Sequence, residues 1–332
     1  MLVALAMALC VSMLIIALAG ADSVEAINAL VAGSFGGTIA IARTLTFLLP
    51  LTLVALGWIV AFRSRRINVG FEGQILIGGV AAAWAGIYLA PHLPFPLQLP
   101  VAVLIALVAG GLYATIAALL WAWRGVNEII STLMLNFIAT GIVTWLVAGP
   151  MQEPTHQFPN SPPVAPRALW PHLLPNSTLT WDVLLAPILV GVVWFVMTRT
   201  AAGFLLRLTG SNERAARFAG VSTRLVTVLS LAASGALAGL AGSSLILGAG
   251  TGKLAAQFSA GFGFDGIVVA LVARNNPLAV LPAAVLFAAL RSGSGLMEAR
   301  AGVSSQLVFI TQGLVILLVA GSAFLFERMA VD

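Results

Sequence analysis

Apolar residues run through this chain in long unbroken stretches, interrupted by single charges, prolines or glycines rather than arranged as amphipathic stripes. Each stretch is close to the ~20 residues that a helix needs to cross ~30 Å of hydrocarbon. The pattern predicts helices near 2–20, 44–62, 70–90, 100–123, 129–149, 182–198, 225–249, 262–273, 277–291 and 305–325, about ten in all. The eighth and ninth are short for a full span. Such segments tilt, or enter and leave on one side, where protein rather than lipid surrounds the backbone. The fold class expected is all-α: one polytopic transmembrane domain over residues 1–332.

Composition removes the alternatives. Only 8 % of residues are charged and 60 % are apolar, with a mean hydropathy of +1.06, whereas a soluble domain carries roughly a quarter charged residues. Such a chain has no polar surface with which to face water. Its sixteen basic residues, Lys253 the one lysine among them, are scattered between apolar runs, which excludes a nucleic-acid footprint. Cys10 is the sole cysteine, so no internal disulfide forms. Ala19-Gly20-Ala21 resembles a signal cleavage site, but no basic segment precedes it and many spans follow, so the first run reads as a retained helix.

Basic residues in short loops stay on the cytoplasmic side. With ten helices, Arg63, Arg65, Arg66, Arg124, Arg199, Arg207, Arg214, Arg217, Arg224, Arg274 and Arg328 fall on one side. Arg43, Arg167, Lys253, Arg291 and Arg300 fall on the other, with Asp22, Glu25, Glu153, Asp182 and Glu298. That bias places both termini in the cytoplasm. Two loops are long. The outer one, 150–181, holds eight prolines from Pro150 to Pro175 and is extended and stiff, which suits either a connector or a landing surface for an extracytoplasmic partner. The inner one, 199–224, contains Ser211-Asn212-Glu213-Arg214-Ala215-Ala216-Arg217-Phe218, a capping residue followed by good helix formers, and predicts a short helix outside the membrane.

Candidate chemistry is sparse. Gly248-Ala249-Gly250-Thr251-Gly252-Lys253 approaches a phosphate-binding loop, but Leu247 and Leu254 stand where the first glycine and the magnesium hydroxyl belong. Three His and one Cys form no metal spacing, and no Ser/His/Asp set is apparent. No cofactor is expected on this chain. An echo is more informative. Gly70-Phe71-Glu72-Gly73 and Gly263-Phe264-Asp265-Gly266 each place an acid between glycines at the start of an apolar helix. Under the topology above these helices run opposite ways, as in an inverted repeat whose halves meet at a central pathway; ordinary helix-start capping by an acid is the plainer explanation. Asn68 and Gln74 flank Glu72, and Glu128, Thr132, Asn136, Thr140 and Thr144 recur every fourth residue. Polar groups in hydrocarbon need partners, so Asn68, Glu72, Gln74, Glu128, Thr132, Asn136 and Asp265 are candidates either for helix-to-helix hydrogen bonds or for contact with a passing solute. Ser234, Gly235, Ala238, Gly239 and Gly242 form a small-residue surface where backbones approach closely.

Four ordered motifs carry a family likeness: Asn68 to Gln74, Val126 to Asn136, Gly210 to Gly220, and Gly263 to Gly266 continuing through Asn275-Asn276-Pro277. Together they resemble permease subunits of ATP-binding-cassette importers of the branched-chain amino acid, simple sugar and nucleoside type, nearest the nucleoside and simple-sugar branch. The likeness runs from about residue 40 onward, and the start lacks a basic tail. It implies a multi-pass permease in the bacterial cell (inner) membrane, working by alternating access with a second, often non-identical permease chain. Two cytoplasmic ATPases, which bind ATP and magnesium, and an extracytoplasmic solute-binding protein or lipoprotein complete the assembly. Gly210, Ser211, Asn212, Glu213, Arg214, Ala215, Ala216, Arg217 and Gly220 match the helix that docks onto the ATPase in this family. A self-sufficient ion-coupled transporter using Glu72 or Asp265 is the rival.

Overall fold

The computed structural model of the chain describes residues 22–248 and 252–302 together with Val11, Met13, Ile16, Ala17, Ile310 and Gly313. Among the described residues it is all-helical. α1 (Ser23–Phe35) and α2 (Thr38–Arg63) are followed by α3 (Phe71–Trp84), which continues through a π turn (Ala85–Leu89) to His92. Then come α4 (Gln98–Arg124), α5 (Glu128–Ala148), α6 (Leu185–Arg199), α7 (Ala201–Ser211), α8 (Glu213–Phe218), α9 (Thr223–Leu247), α10 (Phe262–Val272) and α11 (Pro277–Ala301). Seven helices are long and apolar enough to cross a membrane; α1 and α10 are shorter apolar helices. The runs predicted at 2–20 and 305–325 lie almost wholly outside the described residues, so seven is the span count the structure supports.

Local chemistry sets the ends. α4 stops at Gly125, whose φ of 66° is left-handed, and α5 starts at Asn127, whose Oδ1 accepts the Ile129 N–H at 2.8 Å. α11 opens with the Asn276 cap and Pro277 at its first position. Two boundaries depart from the sequence reading. Residues 23–35, read as loop because Asp22, Glu25 and Asn28 interrupt the apolar run, form α1: Asp22 caps it, and the Ser34 hydroxyl bonds the Ala289 carbonyl of α11 at 2.6 Å. The ninth predicted run ended at Arg291, yet α11 continues to Ala301 because Arg291 has an internal partner. Arg43 likewise lies within α2. Neither arginine is a loop charge, which sharpens the bias of basic residues towards the Arg63 end.

α2 is the central post. Of its most apolar window 83 % is buried by protein, against 33 % for α5 and for α6, so α5 and α6 present most of their surface outwards. α9 runs beside α2 and packs on α3 and α4 through glycines. A Cβ on Gly239 would strike the Ala106 carbonyl and Gly110 of α4, and one on Gly78 would strike the Gly239 backbone. The small-residue surface of α9 is therefore where three helix backbones meet.

Candidate functional site

α2, about 39 Å long at ~1.5 Å per residue, serves as a depth gauge. Near its start the Thr46 hydroxyl meets Thr178 of the proline-rich loop at 3.2 Å. At its end Trp58 Nε1 and Arg63 Nη2 donate to the Asn275 side chain and carbonyl, at 3.0 and 3.2 Å. α10 lies between these limits. Its Phe262 ring is 5.7 Å from that of Phe47, and Gly266 packs on Leu51 and Val54. Its first turn thus sits level with Phe47, next to Thr46, its second turn opposite Leu51 and Val54 in the middle of α2, and its last turn at the Arg63 end. The eleven residues of α10 cover about 16 Å, half a span, which resolves the shortness of the eighth predicted helix.

Glu72, second residue of α3, meets this buried start. Its Oε1 accepts the Ser259 hydroxyl in a short hydrogen bond and the Gly261 N–H at 3.0 Å, while Oε2 accepts the Gly263 N–H at 2.8 Å. The N-cap of α10 is Gly261, in the left-handed region at φ 88° and with no side chain of its own. Glu72 supplies the missing cap from a helix some 190 residues earlier, satisfying amides that lipid would leave bare and placing a carboxylate at the positive end of the helix dipole. Gly263 cannot carry a side chain, because a Cβ there would fall on the Glu72 backbone. From this contact α3 proceeds to Gly86, whose carbonyl accepts the Ala165 N–H of the proline-rich loop at 3.1 Å, and α10 proceeds to the Arg63 end. The two helices leave one junction in opposite directions. The echoed acids are not equivalent there. Asp265, fourth residue of α10, pairs with Arg291 of α11 at 2.5 Å. Arg291 also donates to the Ala260 carbonyl at 2.6 Å and lies 3.9 Å over the Phe262 ring, closing the loop that precedes α10.

The other polar residues singled out in the sequence surround the approach to this junction. Residues 64–70, which lead from α2 to α3, are irregular backbone with Ser64 and Asn68 fully enclosed. Asn68 and Gln74 exchange two amide hydrogen bonds at 3.0 Å, and Asn68 also bonds the Ser234 hydroxyl at 2.9 Å and the Gly70 N–H at 2.9 Å. Asn136 on α5 accepts the Gly73 N–H at 2.8 Å and donates to the Val69 carbonyl at 2.9 Å, and the Thr132 hydroxyl takes the Val69 N–H. These side chains satisfy backbone that has no helix of its own. Further along that row Thr140 and Thr144 are exposed and donate only to carbonyls of their own helix. A cleft of about 440 Å³ between α6, α7 and α9 offers a polar solute little, because its one hydroxyl, Ser230, is already bonded to Ser64 and the Thr227 carbonyl.

At the Arg63 end Arg66 gathers three helices. Its guanidinium is 3.8 Å from Glu128 at the start of α5, 3.2 Å from Glu213 at the start of α8, and 3.8 Å over the Trp121 ring of α4. Glu213 also pairs with Arg217 at 2.5 Å and accepts the Thr223 hydroxyl at 3.3 Å. Partial burial pushes the Glu213 carboxyl up, but the Arg217 hydrogen bond and the charges of Arg66 and Arg217 outweigh it and leave it below the usual range. The predicted exposed helix forms as α8, and of Ser211 and Asn212 it is Asn212 that caps it, accepting the Ala215 N–H at 3.0 Å. α7 ahead of it was not foreseen; Gly210 in its last turn abuts the Arg63 carbonyl so closely that a Cβ would collide. Sequence reasoning counted Arg66 and Arg291 only as topological charges and gave Ser259 no role, since nothing local marks any of them.

At the other end the proline-rich loop is tied down. The Ser161 N–H and the Leu254 carbonyl bond at 2.9 Å, Val164 bonds Gly252, and Trp170 bonds the Leu247 carbonyl. Lys253 pairs with Glu153 at 3.0 Å, and the Lys253 hydrogen bond holds the Glu153 carboxyl low. Lys253 therefore serves this tie; residues 249–251 of the glycine-rich run lie outside the described residues.

Residues 40–320 match the family model described as "Branched-chain amino acid transport system / permease component". The chain belongs to this permease family. Its relatives include the guanosine ABC transporter permease protein NupP of Bacillus subtilis, 34 % identical over 326 residues that cover 97 % of this chain and 92 % of NupP. The glucose ABC transporter permease protein TsgB13 of Haloferax volcanii is 36 % identical over 93 % of this chain and 83 % of its own length. A second guanosine permease protein of B. subtilis, NupQ, is 24 % identical over 75 % of this chain and 80 % of NupQ. The permease is thus a multi-pass membrane protein of the ABC-transporter class.

Proposed function

We propose that this chain is one permease half of an ATP-driven importer for nucleosides or simple sugars in the cell membrane, with both termini cytoplasmic and no catalysis of its own. The family match and the names of NupP and TsgB13 support the class and the solute range. That B. subtilis holds two guanosine permease proteins, both similar to this chain, supports pairing with a second, non-identical permease. Cytoplasmic ATPases carry the nucleotide and magnesium, and an extracytoplasmic binding protein delivers solute onto the tied proline-rich face. The carrying observation is the Glu72 junction. Two helices that start inside the membrane and run opposite ways from one contact suit an inverted repeat and a pathway that rocks about its midplane. In this reading the α7–α8 elbow takes the pull of the ATPase, Arg66 passes it to α4 and α5, and the segment 64–70 delivers it to Glu72.

The ion-coupled alternative needs a carboxylate free to exchange a proton or sodium. Both oxygens of Glu72 are engaged and Asp265 is paired with Arg291, which favours the importer. The test uses Cys10→Ser with Ala215→Cys in the assembled complex. Crosslinking from α8 to a copurified ATPase is expected, and absence of any crosslink across several α8 positions would defeat it.

A further inference from the structure

The apolar cleft between α6, α7 and α9 has a shape and an end chemistry of its own. Every side chain lining it except Ser230 is apolar, and the Ser230 hydroxyl is bonded to Ser64 and the Thr227 carbonyl. Its lips are open to the side. Val192 on α6 is 47 % exposed and Leu229 on α9 is 58 % exposed, with Ala233 exposed one turn further along. In a chain that crosses the bilayer, such an opening faces hydrocarbon. Along α9 the lining runs from Val226 to Leu237, about 16 Å at ~1.5 Å per residue, which matches the ~15 Å of hydrocarbon in one leaflet. About 440 Å³ spread over that length is a channel roughly 6 Å across, room for one hydrocarbon chain and too narrow for a further helix, which needs ~10 Å.

Charge lies at one end of this channel. Val60 of α2, one turn before Arg63, lines that end, as do Ala202, Leu205 and Leu206 of α7, which is joined to α6 through Thr200. Arg199, the last residue of α6, follows Val192 and Val196 at intervals of four and three residues, so it continues the lip that they form. It is exposed and makes no ion pair or side-chain hydrogen bond among the described residues. Exposed Arg207 and Arg224, on α7 and α9, add positive potential at the same end. We propose that the cleft is a binding site for one acyl chain of an anionic phospholipid whose phosphate lies against Arg199. A guanidinium meets phosphate through paired N–H donors, and the slot below it takes the chain over the depth of one leaflet. Lipid bound there braces α6 against α9 at the level where α7 leaves α6. The outward face of α5 lacks both features: Phe137 is 67 % exposed, and that helix carries no basic residue.

The experiment uses the full-length permease, with the subunits that copurify with it, in phosphatidylcholine nanodiscs. These carry a trace of phosphatidylglycerol or of phosphatidylcholine with a diazirine in its acyl chain, and photoadducts are mapped by mass spectrometry. Phosphatidylglycerol is expected to label the Val192 and Leu229 peptides about five-fold more than phosphatidylcholine, the preference that one arginine confers near an anionic headgroup, with no preference at Phe137. Arg199→Gln should bring the ratio at Val192 to about one, and Arg199→Lys should keep most of it. Ala233→Trp, which fills the slot from its open lip, should remove the cleft adducts and leave the Phe137 adduct, which also reports that the variants are folded. Equal labelling by the two lipids at the cleft of the unaltered protein would reduce it to ordinary solvation by lipid and overturn the proposal. So would a cleft free of adducts while Phe137 is labelled, since protein would then cover it. A ratio unmoved by Arg199→Gln would refute the phosphate contact.

Discussion

Replacing Glu72 by Gln removes one charge and changes nothing else in size, and the structure sets the cost. The carboxylate accepts two backbone N–H groups at the start of α10 and the Ser259 hydroxyl. A Gln carbonyl can retain two of the three, each weakened from charge-assisted to neutral by about 1 kcal/mol. The third donor then faces an amide NH₂ and goes unmet, at about 1 kcal/mol or more, and the favourable interaction with the dipole of α10 is lost, at ~0.5 kcal/mol. The sum is about 3.5 kcal/mol, or a fall in melting temperature of roughly 5 °C for a chain of this size. Glu72→Asp should not restore it, because the shorter side chain cannot bridge Gly261 and Gly263 together. The assay is thermal unfolding of the purified complex in detergent, followed by loss of monodispersity, with uptake measured on the same variants. Melting within a degree of the parent, with uptake intact, would refute the capping argument. A parent-like melting temperature with uptake abolished would transfer Glu72 from a structural cap to a contact with solute.

Three further outcomes are expected. Arg66→Gln separates α8 from α4 and α5, and a double-mutant cycle with Glu213→Gln should show a coupling of about 1 kcal/mol for this half-shielded pair; Arg66→Lys should fail to rescue, since a single ammonium cannot serve two acids and the Trp121 face together, and additive melting shifts would contradict both. The Glu213 carboxyl is depressed in the folded chain, so the stability it contributes is present above its unfolded value of about 4.3 and disappears as pH falls through the lower folded value; the protection of α8 amides against hydrogen exchange, taken relative to the intrinsic rate at each pH, should therefore be flat from pH 7 to about 5 and fall below about 4, and a fall already near pH 6 would be inconsistent with the ion pairs. Gly239→Val drives a branched side chain into the α4 backbone and should yield no monodisperse protein, in contrast to Gly141→Val, where a Cβ would meet nothing within 4 Å.

The parts of this fold that read directly from sequence are those governed by local physics. Hydrocarbon length sets the spans, and a short polar side chain sets the cap at Asn212. The half-length of α10 was visible in the shortness of its predicted run, 262–273, although its depth was not. The two acids drew notice by their matched glycine settings, yet their roles could not be read, because each is decided by a residue remote in sequence: Glu72 by the 259–263 loop and Asp265 by Arg291. Arg291 was hidden for the same reason. An arginine within an apolar run looks like a boundary until its carboxylate is found, so the predicted ninth helix ended ten residues early. α1 was missed because three polar residues broke its apolar pattern while its packing face, Ala26, Ala29 and Ser34, is made of residues too small to register as a hydrophobic run. The polar row on α5 was legible as a row, but that its first members bind the broken backbone of residues 69–73 is a fact of tertiary contact.

The central claim is that this chain is half of a pathway driven by ATP hydrolysed elsewhere, and reconstitution tests it most directly. Permease alone, permease with its partner permease, and the full set with ATPases are placed in liposomes with binding protein and a labelled nucleoside or hexose. Uptake is expected only in the full set, only with ATP and magnesium, and unaffected by collapse of proton and sodium gradients. Gradient-driven uptake by the permease alone would contradict the account.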